Sequence, residues 1–239
     1  MAEQAQQESI SLSAVVADVA HGVALALEGG GGSYALSGVL AQDDAVAVAA
    51  IRVLGADVLA PYALHGGAAH GGTAHGADAD GSAVRRALAA YPPRADASEV
   101  SVWTYRGLVE ASRTYLPGGP GAWPQEPRAG VEWARTDPWP RLSHRVSQLA
   151  ALSLPGLGAE LAAELAARTD DLSRGFVRAV RRRDWLQAAG LGRWLSRLPD
   201  VPESLGLDAG LRFVRRMGEA DARVVLQVTA ARRFHGRGA

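Results

Sequence analysis

Between Arg141 and Leu198 the apolar residues recur with a helical period, which constrains the fold more than any other feature of the chain. Leu157, Leu161 and Leu165 return every fourth residue, with Glu160, Glu164 and Arg168 on the other side. Leu172, Phe176 and Val180 form a second stripe opposite Arg174, Arg178, Arg181 and Arg182. Such spacing turns one face of a 3.6-residue helix into a core and leaves the charged face in water. The stretch predicts three to four consecutive amphipathic helices, and hence a mainly α fold, an irregular helical bundle. Leu161, Leu165, Phe176 and Val180 are its expected core.

The flanking sequence extends the helical pattern less regularly. Residues 1–9 are polar and read as a frayed end; Ser11 or Ser13 then caps a helix to about Leu27, ended by Gly29 to Gly32. A small N-terminal β-hairpin pairing Val23–Leu27 with Tyr34–Leu40 is the rival reading. Helix is preferred because Ala, a poor strand residue, fills the segment. Asp43 and Asp44 are placed to cap a helix from Ala45 to Leu54. His65 to Gly81 (HGGAA, HGGTA, HGADA) is a five-residue repeat whose glycines oppose a helix, so it reads as a loop. Helices are expected from Ser82 to Tyr91 and from Ser98–Glu99 to about Leu116, although Val100–Tyr105 also alternates like a strand.

Residues 117–140 hold six of the 12 prolines, together with Trp123, Trp133 and Trp139. Three tryptophans suit a connector laid across the helical body better than a free linker. Further on, Asp184 opens a helix with Trp185, Ala188, Gly192 and Leu195 along one face. Asp208 is expected to cap Ala209–Met217, with Leu211, Val214 and Met217 inward, and Glu219–Phe234 closes the chain. The expected organisation is an end at 1–9, a helical region at 10–116, the connector at 117–140 and a helical region at 141–239. Together these form one continuous domain.

Composition removes whole classes of chemistry. The chain contains no Cys, no Lys and no Asn, whereas Arg supplies all 25 basic residues, a pattern that high-GC coding produces. Thiolate nucleophiles, disulfides, Cys-ligated zinc and iron–sulfur clusters are excluded, as are Schiff-base lysines and the usual lysine-bearing phosphate loop. The first ten residues carry acids and no base, the reverse of a signal peptide. The apolar run Ala14–Leu27 reads as too short to span a bilayer. A cytoplasmic protein without a membrane partner is the expectation.

No catalytic motif of serine hydrolase, zinc protease, dinucleotide-binding or calcium-loop type occurs. His65, His70 and His75, with Asp78 and Asp80 nearby, are the only cluster with ligand chemistry. They could hold zinc, nickel or copper, but ordering a glycine-rich loop opposes it and no cofactor is expected. Trp103, Phe176, Trp185 and Trp194 are candidate linings of an apolar pocket, the basis of an alternative as a helical enzyme or ligand carrier.

Charge is the remaining signal. Residues 1–120 hold 12 acids and 6 Arg, and residues 121–239 hold 13 acids and 19 Arg, so a neutral chain is split −6 against +6. The segment Glu164–Val180 loosely resembles a helix-turn-helix, with small residues in its first helix and an Arg-bearing second helix continuing through Arg183. It departs from that pattern at the Asp170–Asp171 turn, where a glycine is usual and two acids would face phosphates. That resemblance implies DNA or RNA binding, a second alternative. The preferred expectation is a non-catalytic binding, scaffold or accessory protein. Its Arg174, Arg178, Arg181 and Arg182 face would meet an acidic protein surface or a second copy, since Arg forks pair bidentately with carboxylates.

Overall fold

The computed structural model describes residues 2–29, 34–39, 45–64, 74–118 and 121–235. It is mainly helical, and no strand occurs among these residues. The chain divides into two compact units, Met1–Pro127 and Arg128–Ala239. The division falls inside the proline-rich segment. Counted over these units, 13 acids and 6 Arg lie in the first and 12 acids and 19 Arg in the second, a split of −7 against +7.

The first unit opens with α1 (Ala2–Glu28), which excludes the hairpin reading for its first strand. Val16, Val19, Ala20, Val23, Ala24 and Leu27 are buried at alternating three- and four-residue steps, the signature of one helix face. The helix begins at Ala2 rather than at a serine cap because Ala, Glu and Gln are good helix formers throughout its first turns. A short α2 (Leu36–Val39) replaces the hairpin's second strand; the expected caps Asp43 and Asp44 lie outside the described residues. Next come α3 (Ala45–Leu54), a 3₁₀ turn Gly55–Leu59, α4 (Ala60–Ala63), α5 (Ala74–Ala90) and α6 (Glu99–Tyr115).

In this unit α1 packs on α3, α3 on α5, and α6 on the 3₁₀ turn. At the bend Gly55 has φ +59°, and a Cβ there would meet the Thr104 methyl at 2.9 Å, so both conformation and close approach require glycine. Ser98 caps α6 by accepting from the Ser101 amide at 3.3 Å, and Trp103 is buried, which decides Val100–Tyr105 as helix. Two stretches, Ser11–Glu28 and Ala45–Ala63, are long and apolar enough to cross a bilayer by length and composition. The first stretch extends the apolar run at 14–27 to 18 residues, 33% of it buried within the structure. Core helices of soluble proteins pass the same test, and the second stretch is 61% buried within the structure.

The second unit runs α7 (Glu132–Thr136), α8 (Trp139–Gln148), a 3₁₀ turn Ala150–Ser153, α9 (Ala159–Ala166), α10 (Thr169–Arg181), α11 (Trp185–Leu195), a 3₁₀ turn Glu203–Leu205, α12 (Leu207–Met217) and α13 (Ala222–Arg233). Helix α11 is its centre and packs against α8, α10, α12 and α13. It can be enclosed because Ala188, Ala189, Gly190 and Gly192 let backbones approach. A Cβ on Gly190 would stand 2.5 Å from the Ser147 carbonyl oxygen, and one on Gly192 2.6 Å from a Leu211 methyl. Asp184 caps α11 through the Gln187 amide at 3.2 Å.

Leu157, Leu161, Leu165, Leu172 and Phe176 are core, but Val180 is only half-buried and Ala179 takes the inward position. Met217 is likewise exposed while Leu211 and Val214 are buried. Asp208 is not a cap: Gly206 precedes α12 in the left-handed conformation, and Asp208 pairs with Arg212 at 3.1 Å. The last helix is capped by Asp221, whose carboxylate accepts from the Arg223 amide at 2.9 Å.

Candidate functional site

Helix α10 divides its residues sharply. Leu172, Phe176 and Ala179 face the core, where α8 and α11 cover them, while Arg174, Arg178, Arg181 and Arg182 are exposed. Acids occupy its first turn and arginines its last, the arrangement favoured by the helix dipole. Asp171 accepts from Arg168 at 2.7 Å and pairs with Arg174 at 3.6 Å. Among the described residues no acid pairs with Arg178, Arg181 or Arg182.

The Arg178 guanidinium instead lies 5.5 Å from the centroid of the Trp139 ring, at the start of α8, within cation–π range. Two adjoining hollows meet at this pair. A broad groove of about 730 Å³ is lined by Trp139, Ser173, Arg174, Val177, Arg178, Arg181, Pro202 and Leu205, with Asp170 at its edge. A smaller and more enclosed cavity of about 260 Å³ is lined by Trp139, Ser143, His144, Arg178, Arg182 and Gln187, with Asp184 as its acid.

Each hollow has a buried hydroxyl in its lining. Ser143 is 1% exposed and Ser173 8%, and neither Oγ has a hydrogen-bond partner. A buried hydroxyl left without a partner costs about 1–3 kcal/mol, so such groups are few in native structures. Ser143, His144 and Asp184 carry the letters of a hydrolase triad but not its bonding. Ser143 Oγ makes no hydrogen bond to His144, adjacent helix residues project about 100° apart, and one Asp184 oxygen accepts the capping bond from the Gln187 amide.

The first unit has its own polar cluster. Asp80 is fully buried and accepts from the Leu36 amide at 2.7 Å and the Tyr62 hydroxyl at 2.6 Å. Tyr34 donates to the Val58 carbonyl at 3.0 Å and meets Tyr62 edge-on at 6.3 Å. Burial pushes the Tyr34 phenol well above its ordinary range, with the Asp80 charge and Tyr62 adding to it. Burial also raises Tyr62, helped by its hydrogen bond to Asp80 and by that residue's charge. Both phenols are thereby held protonated as donors. This cluster ties α5 to α2 and α4; it presents no unpaired group to a ligand.

That tie corrects the loop expected at 65–81. Helix α5 already begins at Ala74, because Asp80 draws the end of the repeat into the core. Residues 65–73, with His65 and His70, lie outside the described residues, as does the side chain of His75. Among the described residues no group of three His, Asp or Glu side chains is gathered as a metal site.

The aromatic residues proposed as a pocket lining are dispersed. Trp103 is buried in the first unit beneath Arg106, whose guanidinium lies 4.7 Å from its ring centroid. Trp194 is fully buried and donates to the Leu149 carbonyl at 3.2 Å. Phe176 packs against Gly192 and Gly210, and Trp185 meets Phe213 edge-on at 5.9 Å. Sequence reasoning named the four arginines but missed Trp139, Ser143 and Gln187 as their neighbours. The available signal was the Trp139-Pro140 helix start one turn before Ser143, which puts both on α8. No protein-family model matches the chain, and neither does any curated protein or solved structure.

Proposed function

We propose that this is a non-catalytic binding or scaffold protein of the cytoplasm, whose second unit receives an acid-bearing segment of a partner protein along the outward face of α10. The observation that carries this reading is the set Arg174, Arg178, Arg181 and Arg182 beside Trp139, with three of the four arginines lacking an acid partner among the described residues. Solvated arginines contribute almost nothing to stability, whereas guanidinium forks bind carboxylates through paired charge-assisted bonds. The groove also offers apolar surface from Trp139, Val177, Pro202 and Leu205. A peptide with acidic and apolar side chains uses both kinds of surface, and a nucleic-acid backbone uses only one. Asp170 and Asp171 at the start of α10 further disfavour a phosphate backbone.

The test is binding of a labelled polyglutamate peptide carrying a central leucine to the full chain at physiological salt. Exchanging Arg178, Arg181 and Arg182 together for Glu should weaken binding at least about tenfold, with helix content unchanged. Equal binding by the triple variant, or preference for duplex DNA with a steep salt dependence, would refute the proposal.

A further inference from the structure

We infer that the enclosed cavity between α8, α10 and the start of α11 is a seat for a phosphate monoester carried on the partner segment. This rests on the docking proposal and names the anchor within it. Arg178 and Arg182 are one turn apart on α10 and line the same cavity, with His144 from α8 and Gln187 from α11. Ser143 also lines that cavity, with its hydroxyl shut away from water in the seam between α8 and α10. Gly175 keeps the space that this hydroxyl needs, since a Cβ there would collide with it.

The geometry favours a tetrahedral acceptor. The lining side chains with donor groups come from three helices, and a phosphate presents acceptor oxygens in several directions at once. A carboxylate has two coplanar oxygens and can satisfy one guanidinium fork well. A monoester carries about −1.5 to −2 charges at neutral pH, which suits two arginines facing the single lining acid Asp184. Asp184 is partly engaged as the cap of α11. A monoester terminates a side chain and can enter a recess, whereas the diester of a nucleic acid is flanked by sugars on both sides and keeps to open surfaces. The broad groove then takes the residues around the modified one.

The experiment compares the same leucine-bearing acidic peptide with one serine and with that serine phosphorylated, using the full chain. The phosphopeptide should bind about tenfold or more tightly, inorganic phosphate should compete with it, and Arg178→Gln or Arg182→Gln should each reduce the phospho-to-plain ratio several-fold. A ratio near one in the native protein, or one that survives both substitutions, would overturn the seat while leaving the docking face intact. If neither peptide binds, the docking proposal fails. In that case saturable binding of inorganic phosphate that Arg182→Gln abolishes would still establish the seat, and its absence would overturn it. Displacement of the phosphopeptide by short duplex DNA at lower concentration than by phosphate would overturn the assignment to a protein-borne monoester.

Discussion

Asp80 of the first unit and Ser143 of the second are both shut away from water, and only Asp80 is satisfied. The Asp80 carboxylate accepts from a backbone amide and a tyrosine hydroxyl, whereas the Ser143 hydroxyl meets no partner, and Ser173 repeats the second situation. The arginines of the second unit divide in the same way. Arg168 donates to the carbonyls of Ala134, Arg135 and Asp137 at the end of α7, and Arg197 to those of Leu152, Leu154 and Leu157 at and after the 3₁₀ turn Ala150–Ser153, so both clasp the backbone of their own unit. Arg178, Arg181 and Arg182 are exposed and pair with no acid among the described residues. A buried polar group with all its partners maintains the fold. Exposed cations without acid partners instead mark where an outside molecule completes the pairing.

If that contrast is right, Asp80→Ala should be the most damaging change. It strands the Leu36 amide and the Tyr62 hydroxyl, each worth about 1–3 kcal/mol, and should destabilise the protein by roughly 2–6 kcal/mol in chemical denaturation. Asp78→Ala, at an exposed position two residues away, should have little effect. A small loss for Asp80→Ala would break the contrast. In the second unit, Leu165→Ala should cost about 2–5 kcal/mol, since Leu165 is fully buried. A parent-like melt would mean that α9 is not part of that core.

The tyrosines give a pH test. Native Tyr34 and Tyr62 hold their protons above the ordinary phenol range, while the unfolded chain releases them near pH 10. Above that pH the unfolded state binds fewer protons, so stability should be level below about pH 10 and fall as pH rises further. Tyr34→Phe should make the fall shallower; an unchanged slope would separate these phenols from alkaline unfolding. The smallest effect belongs to Ser143→Ala, which removes a hydroxyl that bonds to nothing. Its stability should be level with the parent's or somewhat higher, because the uncompensated burial of the hydroxyl is relieved, and a loss above about 1 kcal/mol would show that the hydroxyl has an internal role.

The fold was legible where helical phase was legible. Leu157, Leu161 and Leu165 are all core because only the single step from Leu161 to Leu165 is helical, Leu157 lying before α9. A step of four residues advances the helix by 400°, so successive members drift by 40°. Leu172, Phe176 and Val180 drift 80° in two such steps, which carries Val180 to the shoulder and gives Ala179 the inward place. Three-residue steps drift 60° the other way, and Met217 ends 120° from Leu211, out in solvent. Asp80 was hidden by its setting in a glycine-rich repeat, since its burial depends on Leu36 and Tyr62, distant in sequence. The arginine face could be read from α10 alone. Its pairing with Trp139, and the orphan state of Ser143, arise only when α8 and α10 pack together.

The most direct measurement follows the guanidinium and indole signals of nitrogen-labelled full-length protein by NMR while the leucine-bearing polyglutamate peptide is added. The shifts should concentrate on Arg174, Arg178, Arg181, Arg182 and the Trp139 indole, with Arg168, Arg193 and Arg197 unmoved. Shifts spread evenly over all arginines, or gathered instead on Arg212 and Arg216, would contradict a docking face on α10.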